Sequence, residues 1–270
     1  MMTWPRPSVL TAAGMLAVLA ATGITLGVPA SAAGSGSVRS GRAVCERLLV
    51  PAFFSPAYWE TAIHSKKPPA DMILDVSGLG AGTAPNAELQ ALVKQARAAG
   101  ITVLGYSSTA NGERPAAQVE TDVRDYAAWY GVTSIFLDVV SGRPQQLSYY
   151  KKLDSYIHRA HKGAQVWLNP GDYPDKSYMS AGDVVMVFEG TYAQYLTVQV
   201  PAWASDYPAD RFLHTIYATP KSALTSALDT AQQRGAGRIY VTDLVGSNPY
   251  QGLPSYWSAE DADAAAGCTG

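Results

Sequence analysis

Charge, histidine and cysteine are all sparse in this chain. Only 16% of its 270 residues are charged, with 20 basic against 22 acidic side chains, so the basic face that holds nucleic acid is missing. There are four histidines, no His-Glu-x-x-His run and no cysteine cluster, which leaves nothing to support a metal centre. His158 and His161, three apart at a helix end, read as complements to the helix dipole. No Gly-x-Ser-x-Gly elbow points to an esterase. The run Gly78-Leu79-Gly80-Ala81-Gly82 lacks dinucleotide-binding spacing, so neither cofactor nor metal is expected. No Asn-x-Ser/Thr glycosylation site occurs.

Long apolar runs are also absent after the N-terminus. Residues 1–32 read as a secretory signal: Arg6 begins it, Leu10 to Val28 form a glycine-broken apolar stretch, and Ala30-Ser31-Ala32 is a small-residue cleavage site. A Gly/Ser-rich linker, 33–43, follows. Nothing later could span a bilayer, so the expectation is a secreted, extracellular monomer without stable membrane association. Losing Arg6 leaves the remainder slightly more acidic. The two cysteines, Cys45 and Cys268, flank that remainder; in an exported chain such a pair suggests a disulfide, the alternative being a reactive thiol.

Residues 44–270 have the usual size of a single (β/α)8 TIM barrel. Eight short apolar runs recur: 47–53, 72–76, 102–107, 134–139, 165–169, 184–189, 212–218 and 238–243. Segments of helical period separate them. Helix-breaking glycines at 100, 131, 163 and 235 each return the chain to a strand, as parallel closure requires. The fifth and sixth units are less regular, with Pro170, Gly171 and Pro174 holding the chain open. A second long loop, 246–257, follows the last strand.

Two strands end in a lone carboxylate, Asp138 and Glu189. A charge closing an apolar strand is costly unless used, and in a TIM barrel that end faces the active-site mouth. Strand alternation puts Phe136 beneath Asp138, and Val187 inside with Glu189. Both acids come from even-numbered strands and should meet over one floor. Paired acids at sugar-sized separation are the apparatus of glycoside hydrolysis. Asp75 and Asp243 also close strands, and with Asp172 they would make an acidic mouth suited to a cationic substrate. Tyr106, Tyr192, Tyr250, Trp167 and Trp257 could offer flat faces to sugar rings, although Trp167 reads as core. His214 lies in strand seven, with a sugar contact or a buried structural role both open.

Taken in order, Val50-Pro51-Ala52-Phe53-Phe54, Gly105-Tyr106-Ser107-Ser108-Thr109, Gly131 through Asp138, Leu168-Asn169-Pro170-Gly171, Val187-Phe188-Glu189, Val241-Thr242-Asp243, Asn248-Pro249-Tyr250 and Leu253 through Trp257 resemble the spherulin-4 family. Its enzymatic relatives are endo-α-1,4-galactosaminidases. The resemblance implies cleavage inside an exopolysaccharide of α-1,4-linked galactosamine and N-acetylgalactosamine, a cationic polymer of biofilms. It puts the family's strand-four aspartate on Asp138 and its strand-six glutamate on Glu189, with binding positions on Tyr106, Asn169 and Asp243. One departure stands out: active members carry Asp-Glu at the end of strand four, and here Val139 follows Asp138. The alternative is a catalytically weakened carbohydrate-binding protein on the same scaffold.

Overall fold

A computed structural model describes residues 46–264, with side chains through Glu260. The leader 1–32, the linker 33–43 and the Cys45 and Cys268 pair therefore lie outside the described residues. Eight strands run in order: β1 (Arg47–Pro51), β2 (Asp71–Leu74), β3 (Thr102–Ser108), β4 (Ser134–Asp138), β5 (Val166–Leu168), β6 (Val184–Thr191), β7 (Phe212–Tyr217) and β8 (Arg238–Val241). All neighbours pair in parallel, and β1 closes on β8. This is the expected (β/α)8 barrel.

The connecting helices are α1 (Pro56–Ile63), α2 (Ala87–Ala98), α3 (Ala116–Asp125), α4 (Leu147–Ala160), α5 (Tyr192–Tyr195), α6 (Leu224–Gln233) and α7 (Trp257–Ala264). The Asn86 side chain caps α2 by accepting from the Glu88 and Leu89 amides, and Gly100 turns the chain at φ 83°, a geometry glycine adopts without strain. After β5 only a short 3-10 segment, Lys176–Ser180, interrupts the loop, because Pro170 and Pro174 remove amide donors there.

Leu49, Ile73, Leu104, Phe136, Trp167, Val184, Met186 and Leu213 fill the barrel interior beneath Tyr106. A second apolar layer packs the helices onto the outside of the strands. At the N-terminal end of the barrel, Arg238 Nε lies 3.3 Å from Asp71 Oδ2, and its guanidinium stands 4.6 Å over the Trp167 ring. Both charged groups are buried, so each depends on the other for solvation.

Strand β6 departs from simple alternation. Val184 and Met186 point into the barrel, whereas Val187 packs outside, contrary to the expectation that it would share the inner face with Glu189. The register with β7 shifts between Met186 and Phe188. This bulge inserts one residue and returns the next odd position, Glu189, to the interior. Without it the acid would face the helices.

At the end of α3, Tyr126–Tyr130 forms one π-helical turn, closed by Gly131 at φ 66°. The turn presses the Tyr126 ring onto Gly105, where a Cβ would lie 2.6 Å from ring carbons. Its hydroxyl donates to the carbonyls of Tyr106 at 2.8 Å and Leu74 at 3.2 Å. The backbone of Tyr106, whose side chain enters the site, is thereby held from outside the barrel.

Candidate active site

Residues from the C-terminal ends of five of the eight units converge on one hydrogen-bonded chain. Tyr106 Oη, from β3, donates to Asp138 Oδ2 at 2.7 Å. Asn169, just past β5, donates through Nδ2 to Asp138 Oδ1 at 2.7 Å and to Glu189 Oε2 at 2.7 Å. Tyr250, on the loop after β8, donates to Glu189 Oε1 at 2.7 Å. Two acids from β4 and β6 are thus tied through a single amide nitrogen, and their nearer oxygens lie within twice 2.7 Å of each other.

Burial raises the pKa of both carboxyls, because a charge loses hydration there. Hydrogen bonds from Tyr106, the Val139 amide and Asn169 act against this at Asp138. At Glu189 the charge of Asp138 adds to desolvation, while Asn169 and Tyr250 act the other way. The negative charge of Asp138 thus joins burial in holding a proton on Glu189. Tyr106 and Tyr250 are themselves pushed far up by burial and by these acids, so both serve as neutral donors.

Beside Glu189 opens a cleft of about 370 Å³ lined by Gly171, Asp172, Tyr173, Phe188 and Gln194. A larger cleft, about 410 Å³, is lined by Asp154, His158, Asp183, Arg211 and Arg238. It lies at the other end of the barrel and lacks the acid pair. There His158 Nε2 lies 3.3 Å from Asp154 and 3.2 Å from Asp183, so this histidine joins α4 to the start of β6 in addition to any effect on the helix dipole.

The remaining sequence candidates separate. Asp75 accepts from the Ser77 and Gly78 amides, which shapes the loop after β2. Its pKa is raised by burial and, to a smaller extent, by Asp138. Asp243 accepts from the amide and hydroxyl of Ser255 and anchors the last loop. Tyr192 is half-buried at the start of α5. Trp257 packs in the outer core and Trp167 in the barrel interior, so neither presents a face to a sugar. His214 points outward and lies 2.7 Å from Tyr195 Oη through Nδ1, with its pKa lowered by burial to about 3; this supports the structural role.

Sequence reasoning missed two neighbours of Glu189. Thr215, fully buried on β7, lies 3.4 Å from Tyr250 Oη, and Tyr217 at the end of the same strand feels the charge of Glu189. The signal was there: both share inward parity with Leu213.

Val139 adopts φ 53°, a conformation unfavourable for a β-branched residue. Its carbonyl is held by the Asn111 amide at 2.7 Å and Thr109 Oγ1 at 2.8 Å, so the surroundings enforce the strain immediately after Asp138. Val139→Asn is expected to raise stability by about 1 kcal/mol, since asparagine tolerates this region. Chemical denaturation checks it; an unchanged or lower midpoint would show that the valine side chain contributes more than its backbone costs.

The profile of the spherulation-specific family 4 matches residues 47–262. Spherulin-4 of Physarum polycephalum is 27% identical over 227 residues, covering 79% of this chain and 68% of that protein. Among solved structures, Sph3 of Aspergillus clavatus in complex with GalNAc is similar with a TM-score of 0.70 and 25% identity, covering 82% of this chain and 97% of that one. A GH18 chitinase from Pseudoalteromonas aurantia, at TM-score 0.56 and 10% identity over 81% of this chain and all of its own, shares the fold.

Proposed function

The chain belongs to the spherulation-specific family 4, and from that premise we propose that it is a secreted glycoside hydrolase acting inside a polymer of α-1,4-linked galactosamine and N-acetylgalactosamine. The observation that carries this reading is the acid pair itself, joined by Asn169 at 2.7 Å on each side. Carboxyl groups about 5 to 5.5 Å apart suit a double displacement with retention, whereas inversion needs about 6.5 Å or more to admit a water. The shared amide favours the first.

Asp138, ionised and oriented by Tyr106, attacks the anomeric carbon. Glu189 gives its proton to the glycosidic oxygen, the C–O bond breaks, and a glycosyl ester forms on Asp138. Glu189, now a carboxylate, takes a proton from water, and the resulting hydroxide equivalent displaces Asp138. Each acid ends as it began. Asn169 acts here as a positioning residue that keeps both carboxylates in register, while Asp75, Asp172 and Asp243 would lend the mouth a negative potential that suits amino-sugar residues. The GalNAc bound to Sph3 supports this substrate class, and the leader and linker support export.

The test is incubation with a galactosamine-rich polymer, following new reducing ends and the configuration of the first product by proton NMR. New ends of retained configuration support the reading. Binding without cleavage would favour the carbohydrate-binding alternative, for which the replacement of an acid by Val139 speaks.

A further inference from the structure

The Tyr250 hydroxyl carries one hydrogen but has two acceptors. Glu189 Oε1 lies 2.7 Å away and Thr215 Oγ1 lies 3.4 Å away. Thr215 is fully buried in β7 and has its own acceptors, the Phe188 carbonyl and Met186 Sδ, each at 3.4 Å. The Thr215 oxygen can therefore accept from Tyr250 while its hydrogen points elsewhere. A valine there would fill the same volume, so apolar packing alone does not call for a hydroxyl.

We propose that Tyr250 and Thr215 form a hydroxyl rotor that lets Glu189 alternate between acid and carboxylate. With Glu189 ionised, Tyr250 donates to Oε1. When Oε1 carries a proton between turnovers, that O–H donates to the Tyr250 oxygen, and the Tyr250 hydrogen turns to Thr215. As the glycosidic oxygen draws the proton away, the Tyr250 hydrogen swings back onto the developing carboxylate. Tyr250 never loses its hydrogen; only the Glu189 proton is transferred. Both residues are positioning residues that act through Glu189. This rests on the proposed hydrolysis, which requires Glu189 to work as acid and then as base.

The rotor predicts shifts of opposite sign. Tyr250→Phe removes a charge-assisted donor to the carboxylate and should raise the protonation midpoint of Glu189 by about one pH unit. Thr215→Val removes only the alternative acceptor and should lower it by a similar amount, while Thr215→Ser should restore the wild-type value. The other ionisable groups facing Glu189 are Asp138 from β4, Tyr106 from β3, Tyr217 from β7 and Asp172 in the cleft, with Asp75 from β2 acting on Asp138. All are unchanged in these variants.

The experiment is a carboxyl ¹³C NMR titration of the full chain, with the Glu189 signal assigned by its loss in Glu189→Gln. In parallel, the pH dependence of kcat/KM is measured on a galactosamine-rich polymer. Opposite displacements with serine rescue support the rotor. A Thr215→Val midpoint that stays put, or moves with that of Tyr250→Phe, overturns it. Midpoints that move as stated in a protein that cleaves nothing would leave the rotor standing and refute hydrolysis; cleavage with an unmoved Thr215→Val midpoint does the reverse.

Discussion

Glu189→Gln and Asp138→Asn are each expected to lower polymer cleavage by about 10³-fold or more, the range in which general acid catalysis and an attacking carboxylate contribute. The two losses should differ in kind. A leaving group that departs without protonation bypasses the Glu189→Gln defect in the first step, because no proton need arrive; it gives no relief to Asp138→Asn, which lacks the attacking charge. Assays with an activated aryl galactosaminide and with the polymer would separate these roles, and equal losses on both substrates for both variants would contradict the assignment.

Folding should not explain either loss. The native pKa of each acid lies above its unfolded value, so its contribution to stability is fully present below the unfolded pKa and is lost as pH rises through the native one. Wherever an acid of the pair is ionised its raised pKa therefore costs stability, and the neutral amides are expected to melt no lower than the wild type. The same two shifts shape the activity profile. Rate rises with pH as Asp138 ionises, then falls as Glu189, held higher by Asp138, loses the proton it must donate.

The second large effect lies at the opposite end of the barrel. Arg238→Ala is expected to destabilise the fold by about 3 to 5 kcal/mol, the usual cost of leaving one member of a buried ion pair uncompensated. Asp71 is 1% exposed and Arg238 4%. Burial already raises the Asp71 carboxyl against the opposing pull of Arg238 and Arg47, so without Arg238 it must ionise beside the more exposed Arg47 at 3.9 Å or protonate. The variant also uncovers the face of Trp167. At about 2 to 4 °C per kcal/mol for a domain of this size, the melting point should fall by roughly 10 °C. The double variant Asp71→Leu with Arg238→Met should recover most of that, because a well-packed apolar pair avoids the desolvation of both charges. Calorimetry on the three proteins decides it, and a double variant as unstable as Arg238→Ala alone would count against the ion-pair account.

The barrel was legible because its signals are local. Helix-terminating glycines such as Gly100 and Gly131, apolar runs such as Ser134–Asp138, and the spacing of one strand per repeat all express near-neighbour geometry. Asp138 was legible for the same reason: simple alternation from Phe136 carries it into the mouth. Glu189 was found with the wrong neighbour beside it, since alternation assigned Val187 to the interior and the bulge after Met186 moved it outside. A bulge depends on pairing with β7, which no pattern within β6 records.

What the amino-acid order determined unaided, then, is the count and sequence of strands and the choice of the two acids as candidates, because hydrophobic period and a charge closing an apolar run are properties of contiguous residues. Only the closed barrel decided the rest. It brought Asn169 between the acids, turned Tyr106 and Tyr250 from flat faces into hydroxyl donors, and set Thr215 behind Tyr250. Those contacts join residues as many as 61 positions apart, and their partners are chosen by strand register and by where the final loop folds back.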